Sequence, residues 1–199
     1  VATTIPNCVA YDPTYAYELA VIVQDGLRRM YAEQEAVFYY VTCMNENYVH
    51  PAMPQGVEQG ILKGMYRLQA GGRGKVRVNL FGSGTILREV IKAADVLEKE
   101  FGVAADIFSA PSFSELRREA MDVERWNLLH PTERPRVSFV AQQLEKFAGP
   151  VIASTDYMKV YADQIRAFLP PGRAYKVLGT DGFGRSDFRF KLRKHFEVN

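Results

Sequence analysis

From Lys75 onward, short runs rich in β-branched and aromatic residues alternate with amphipathic stretches, and this alternation limits the fold more than any other feature of the chain. "KVRVNLFGSG" predicts a strand ending in glycines. "TILREVIKAADVLEKEFG" predicts a helix with Ile86, Val90, Ile91, Ala94 and Leu97 on one face and Gly102 as its stop. "AADIFSA" predicts the next strand, and "SFSELRREAMDVERWNLLH" a helix that opens with a capping box, Ser112 to Glu115, and ends before Pro131. A shorter helix over "VSFVAQQLEKF", a buried strand at "PVIAS", a helix over "TDYMKVYADQIRAFL" stopped by Pro170 and Pro171, and a strand at "YKVLGT" complete the series. The expected fold class is α/β, a mostly parallel sheet with helices on both faces.

The first part of the chain is organised differently. Asp12 is a plausible N-cap, with Pro13 at the first helical position, and Ala16, Leu19, Ala20, Val23, Leu27 and Met30 then share one helical face. "AVFYYVTCM" predicts a strand, "NENYVHPAMPQG" a loop and "VEQGILKGMYRLQ" a short helix. Three glycines in "AGGRGK", Ala70 to Lys75, mark the best linker, so the expected division is 1–70, a linker at 71–75, and a complete α/β domain over 76–199. Residues 1–70 hold too few elements to cover both faces of a parallel sheet. With Val1 rather than methionine at the start, they read as the end of a larger domain.

Composition excludes several classes. At 47% hydrophobic and 24% charged, the 199 residues suit a soluble globular protein, and no apolar run approaches the roughly 18 residues of a membrane span. A cytoplasmic address and no membrane partner are expected. The formal net charge is only +2, and the basic residues are scattered apart from "RFKLRKHF", which argues against nucleic acid as a partner. Cys8 and Cys43 sit in apolar runs and read as buried, inert thiols.

Individual motifs give no complete catalytic constellation. Gly82-Ser83-Gly84 lies between a strand and a helix, where backbone N–H groups can receive a phosphate. The third glycine of the dinucleotide fingerprint is replaced by Leu87, however, so a tight turn without ligand is the favoured reading. His50, His130 and His195 lack partners at metal-ligand spacing and read as capping or surface residues. Glu115, Glu119, Asp122 and Glu124 alternate with arginines on one helix, a solvated face. In "LGTDGFGRSD", Asp181 and Asp187 are too sparse for a calcium loop. Gly182 and Gly184 permit positive φ, and Arg185 can bridge either acid, so a rigid structural corner is expected, with a phosphate or metal site as the alternative.

Longer phrases carry a resemblance. "IPNCVAYDPTYAYELAVIVQDGLRRMY", "NENYVHPAMPQGVEQGILKGMYRL", "ERWNLLHP", "ASTDYMKVYADQIR" and "LGTDGFGRSD" together resemble the C-terminal portion of the bacterial homodimeric pyruvate dehydrogenase family, transketolase-like thiamine diphosphate enzymes. The resemblance covers nearly the whole chain. It implies that residues 1–70 finish the middle, pyrimidine-binding domain and that 76–199 form a transketolase-type C-terminal domain. It also implies an enzyme that decarboxylates pyruvate with thiamine diphosphate and Mg and passes the two-carbon unit to the lipoyl group of dihydrolipoyl acetyltransferase in a multienzyme complex.

Departures from the family pattern matter as much. The Gly-Asp-Gly diphosphate and magnesium motif, the glutamate that activates the aminopyrimidine and the active-site histidines are not in this sequence. The expectation is therefore a mainly structural, dimer-forming chain with no catalytic, cofactor-binding or metal residue of its own, which the remainder of the subunit completes. Transketolase-type relatives end the last middle-domain strand in a phosphate-gripping arginine. Here Met44 is followed by Asn45, Glu46 and Asn47, which are expected either to face the substrate channel or to cap their own loop. A truncated domain would also expose Tyr15, Tyr17, Phe38 and Tyr40 and promote self-association. The rival readings are a stand-alone α/β interaction module and a nucleotide-binding protein that uses the glycine turn.

Overall fold

The computed structural model describes residues 2–198. A 3-10 turn at Ala2–Thr4 leads to β1 (Cys8–Tyr11) and α1 (Ala16–Leu27), which runs on into a π-helical turn at Arg28–Ala32. β2 (Phe38–Val41) pairs parallel with β1. After a loop over residues 42–57 come α2 (Glu58–Lys63) and β3 (Tyr66–Gln69). The rest alternates: β4 (Val76–Gly82), α3 (Ile86–Phe101), β5 (Val103–Ser109), α4 (Phe113–Leu129), α5 (Phe139–Leu144), β6 (Val151–Ser154), α6 (Lys159–Asp163), β7 (Tyr175–Leu178) and α7 (Arg189–His195).

β3 to β7 form one sheet in the order β3-β5-β4-β6-β7, antiparallel only at β3. Side chains alternate across it. Val78, Leu80, Ala105 and Ile107 meet Ile86, Leu87, Val90 and Ala94 of α3 on one face. Phe81 and Phe108 turn to the other, against residues of α4, α5 and α6. Their rings lie 5.1 Å apart and are fully buried, each contributing about 1.5–3 kcal/mol relative to exposure. With both faces covered, the central strands are mostly apolar, interrupted by Arg77 and Asn79 in β4 and by Asp106 in β5.

Several expectations are corrected. The glycine-rich stretch 71–75 is not a linker between separate units, because it joins β3 to β4 within one sheet. It is also held down: the Gly71 N–H donates to Asp106, and Arg77 donates to the Gly72 carbonyl. Asp106 is buried in β5 and pairs with Arg67 at 2.5 Å and Arg77 at 2.6 Å. The helix expected over "VEQGILKGMYRLQ" stops at Gly64, at φ 102°, and Tyr66–Gln69 form β3 instead.

Asp12 does not cap α1. The helix begins at Ala16, and its entry is closed by the Glu18 carboxylate, which accepts the N–H groups of Thr14 at 2.5 Å and Tyr15 at 3.0 Å. The expected apolar stripe is not the buried face either. α1 buries Glu18, Ile22, Asp25 and Gly26, leaving Val23 47% and Leu27 53% exposed. Tyr15 is buried and Tyr17 half-buried, whereas Phe38 and Tyr40 are exposed as expected. Cys8 is buried, but Cys43 is exposed, because it lies beyond the end of β2.

Candidate functional site

Two buried acids join the β1–β2 unit to the larger sheet. Glu18 is fully buried and, besides its two backbone donors, accepts the hydroxyls of Tyr66 at 2.7 Å and Ser109 at 2.6 Å. Tyr17 and Tyr66 share a further hydroxyl contact of 2.6 Å. Burial pushes the Tyr66 phenol far above its ordinary value, and the nearby Glu18 charge adds to the effect. Asp12 accepts the Thr42 hydroxyl at 2.6 Å, and its carbonyl accepts the Gly84 N–H at 3.0 Å. Burial raises the Asp12 carboxyl, with the Thr42 bond working the other way.

This explains the glycines of the β4–α3 turn. A Cβ on Gly84, at φ +49°, would stand 2.6 Å from the Asp12 carboxylate, and one on Gly82 would stand 2.7 Å from the Leu87 Cα. The turn is used for close packing, and a carboxylate occupies the place a phosphate would need. Asp12 also borders an apolar cleft of about 700 Å³, with Phe38 and Tyr40 of β2 facing Tyr157 and Met158 ahead of α6.

The carboxyl ends of β4, β6 and β7 border a second, polar crevice of about 430 Å³. Asn45, Glu46, Gly184 and Arg185 all line it, so the loop after β2 and the glycine corner after β7 meet here; Asn47 is exposed and does not line it. Glu46 lies 2.9 Å from Arg193, 3.3 Å from Arg88 and 3.7 Å from Arg189, and the Asn45 carbonyl accepts from Arg189 at 2.7 Å. Burial works against the Glu46 carboxylate, but Arg193, Arg88 and Arg189 outweigh it and hold its pKa below the ordinary range.

At the corner, Gly182 takes φ 104°, whereas Gly184 is not among the glycines at positive φ. Asp181 accepts the Lys159 N–H at 2.9 Å and its ammonium at 3.1 Å. Asp187 accepts the Phe188 N–H at 2.7 Å. The expected bridge from Arg185 is absent: among the described residues it pairs with neither acid, because Lys159 takes Asp181, and Asp187 accepts the Phe188 N–H and pairs with Lys191 at 3.8 Å. Thr180 completes the corner, its N–H reaching the Tyr157 carbonyl and its hydroxyl the Asp156 carbonyl.

The remaining candidates stay apart. His50 accepts the Ala16 N–H at the start of α1, His130 stacks on Trp126, and His195 packs on Phe196. Glu115 and Glu119 are not on a solvated face, since Glu115 pairs with Arg118 and Glu119 accepts the Phe139 N–H. No group of three or more His, Cys, Asp or Glu that could hold a metal ion occurs among the described residues. Sequence reasoning missed Glu18, Asp12 and Asp106 as buried acids. The one local signal was Glu18 itself, three residues after Tyr15 at a helix start.

A parallel sheet between two helical layers, with its crevice at the carboxyl ends of the strands, is the architecture of transketolase-type C-terminal domains. The structure of transketolase from Campylobacter jejuni matches with a TM-score of 0.64 at 18% identity, covering 98% of this chain and 25% of that one. Transketolase from Leishmania mexicana matches at 0.61 and 16% identity, over 99% of this chain and 24% of that one. At such identity the likeness concerns the fold. Residues 64–199 match the transketolase-like TK C-terminal domain, and residues 1–51 the pyruvate dehydrogenase E1 component middle domain.

Sequence relatives are more specific. The pyruvate dehydrogenase E1 component of Cupriavidus necator is 64% identical over 98% of this chain, and those of Pseudomonas aeruginosa and Escherichia coli are 61% and 57% identical. The chain belongs to the pyruvate dehydrogenase E1 family, and it spans 22% of the length of these relatives.

Proposed function

We propose that this chain serves as the closing part of the middle domain and the C-terminal domain of a decarboxylating pyruvate dehydrogenase subunit. The observation that carries the reading is identity of 52–64% to E1 components along essentially the whole chain. On this reading the complete enzyme works in the cytoplasm, decarboxylating pyruvate with thiamine diphosphate and magnesium. It then transfers the acetyl unit to a lipoyl group of a dihydrolipoyl acetyltransferase partner.

The residues present here do not fit that cofactor. A diphosphate with magnesium needs a cluster of oxygen ligands and open backbone donors, whereas the glycine turn between β4 and α3 is filled by Asp12. We assign this chain no step of the chemistry and no cofactor contact. Its part is to frame the site: Glu18 and Asp12 lock the end of the middle domain to the C-terminal sheet.

The exposed apolar surfaces support an incomplete unit. Val23 and Leu27 of α1 and Phe38 and Tyr40 of β2 lie open to solvent. β1 has its far edge closed, since Arg118 donates to the Cys8 carbonyl and Ser112 to the Ala10 carbonyl. Among the described residues, β2 pairs with β1 alone. The rest of the subunit and a second subunit of a homodimer would cover these faces, and Asn45–Asn47 would border the substrate channel. The test is complementation: the chain alone is inactive with pyruvate, and co-expression with the rest of an E1 subunit restores decarboxylation. Activity from the chain alone, or no restoration despite stable association, would count against the reading.

A further inference from the structure

The chain leaves β4 for β5 on one side and later returns to β6 on the other, which makes the carboxyl ends of β4 and β6 the switch point of the sheet. Open α/β sheets take ligands at that place. Here it is the polar crevice, and its chemistry is basic. Arg185, Arg189 and Arg193 line it, and Arg88 reaches it through Glu46.

Three of these guanidiniums already hold one carboxylate, that of Glu46, so the crevice displays the ligand type it accepts. The fourth, Arg185, forms no hydrogen bond or ion pair among the described residues, although it lines the same space. Thr85, just ahead of α3 and also on the wall, makes no capping bond. Of the acids that share the lining, Glu89 is taken by Lys92 at 3.1 Å, and Asp156 stands beside the cation of Arg193.

We propose that this crevice binds the phosphate group of a small phosphorylated molecule, gripped by Arg185 and Arg189 beside the Thr85 hydroxyl, with Glu46 as the internal carboxylate that competes for the same guanidiniums. Guanidinium forks match phosphate oxygens two at a time, and a space of about 430 Å³ suits a small ligand rather than a macromolecule.

The test is calorimetric titration of the chain with inorganic phosphate at fixed ionic strength, with chloride as the matched control. Saturable binding is expected, weakened about tenfold or more in Arg185→Gln and severalfold in Thr85→Val. Glu46→Gln removes the competitor and is expected to tighten binding. Because Arg185 is exposed and forms no hydrogen bond or ion pair among the described residues, Arg185→Gln should melt like the parent when phosphate is absent. A phosphate response no larger than chloride's, parental affinity in Arg185→Gln, or weaker binding in Glu46→Gln overturns the site. A phosphoserine peptide binding far more tightly than free phosphate overturns the small-molecule assignment.

Discussion

Replacing Glu18 by alanine removes the acceptor for four donors at once: the N–H groups of Thr14 and Tyr15 and the hydroxyls of Tyr66 and Ser109. Each buried donor left without a partner costs about 1–3 kcal/mol. Tyr66 keeps its contact with Tyr17, and a water in the vacated space recovers part of the rest. The expected net loss is therefore about 3–5 kcal/mol. Glu18→Gln is milder for a geometric reason. The two N–H groups cannot turn, so the amide oxygen faces them, while the hydroxyls of Tyr66 and Ser109 can rotate to accept from the new NH₂ group. Only charge assistance is lost, about 1–2 kcal/mol. For a chain of this length each kcal/mol lowers the melting temperature by about 2–4 °C, so the alanine variant should melt about 6–20 °C lower. Urea unfolding followed by circular dichroism measures the free energies, and an unchanged slope shows that the unfolded state is the same. An alanine variant that loses less than about 1 kcal/mol, or a glutamine variant as damaged as alanine, would refute the argument.

The other predictions concern the corner, the Asp106 anchor and the open faces. Gly182→Ala should cost about 1 kcal/mol from its positive φ, and Gly184→Ala should stay within about 0.5 kcal/mol, as read by chemical denaturation. Burial alone would raise the Asp106 carboxyl, but Arg77, the Gly71 N–H and Arg67 outweigh it and hold its pKa below the ordinary value of 3.8. Its contribution is complete above that unfolded value and is lost as pH falls through the lower folded one. Asp106→Asn should therefore cost about 1–3 kcal/mol at neutral pH, with the difference from the parent shrinking below pH of about 4. Leu27→Ser with Val23→Ser should leave the unfolding free energy within about 0.5 kcal/mol of the parent while reducing self-association in light scattering.

Much of the sheet was legible in the sequence because its central strands are largely buried on both faces and therefore rich in apolar residues, from Val76 to Gly82 and from Val103 to Ser109, despite Arg77, Asn79 and Asp106. β3 was not, since an edge strand of four residues directly after a helix offers little pattern beyond the stop at Gly64. The periodicity of α1 gives a single apolar stripe but does not say which side of the helix is buried. Its inner side meets hydroxyl groups and carries Glu18 and Asp25, and the apolar stripe faces outward. Buried acids such as Glu18 and Asp106 are identified by partners 91 and 39 residues away, which no local window contains. The crevice illustrates the same limit. Asn45, Glu46 and the Gly184–Arg185 corner were each singled out, but only the fold brings Arg193 to Glu46 across 147 residues.

We infer that the chain frames an E1 subunit whose cofactor site lies elsewhere in the subunit. The most direct measurement is calorimetric titration of thiamine diphosphate with magnesium into the chain alone and, in parallel, into the full-length E1 subunit that contains it. No saturable heat is expected from the chain, whereas the subunit is expected to bind saturably and to release carbon dioxide from pyruvate. Saturable cofactor binding by the chain alone would contradict it.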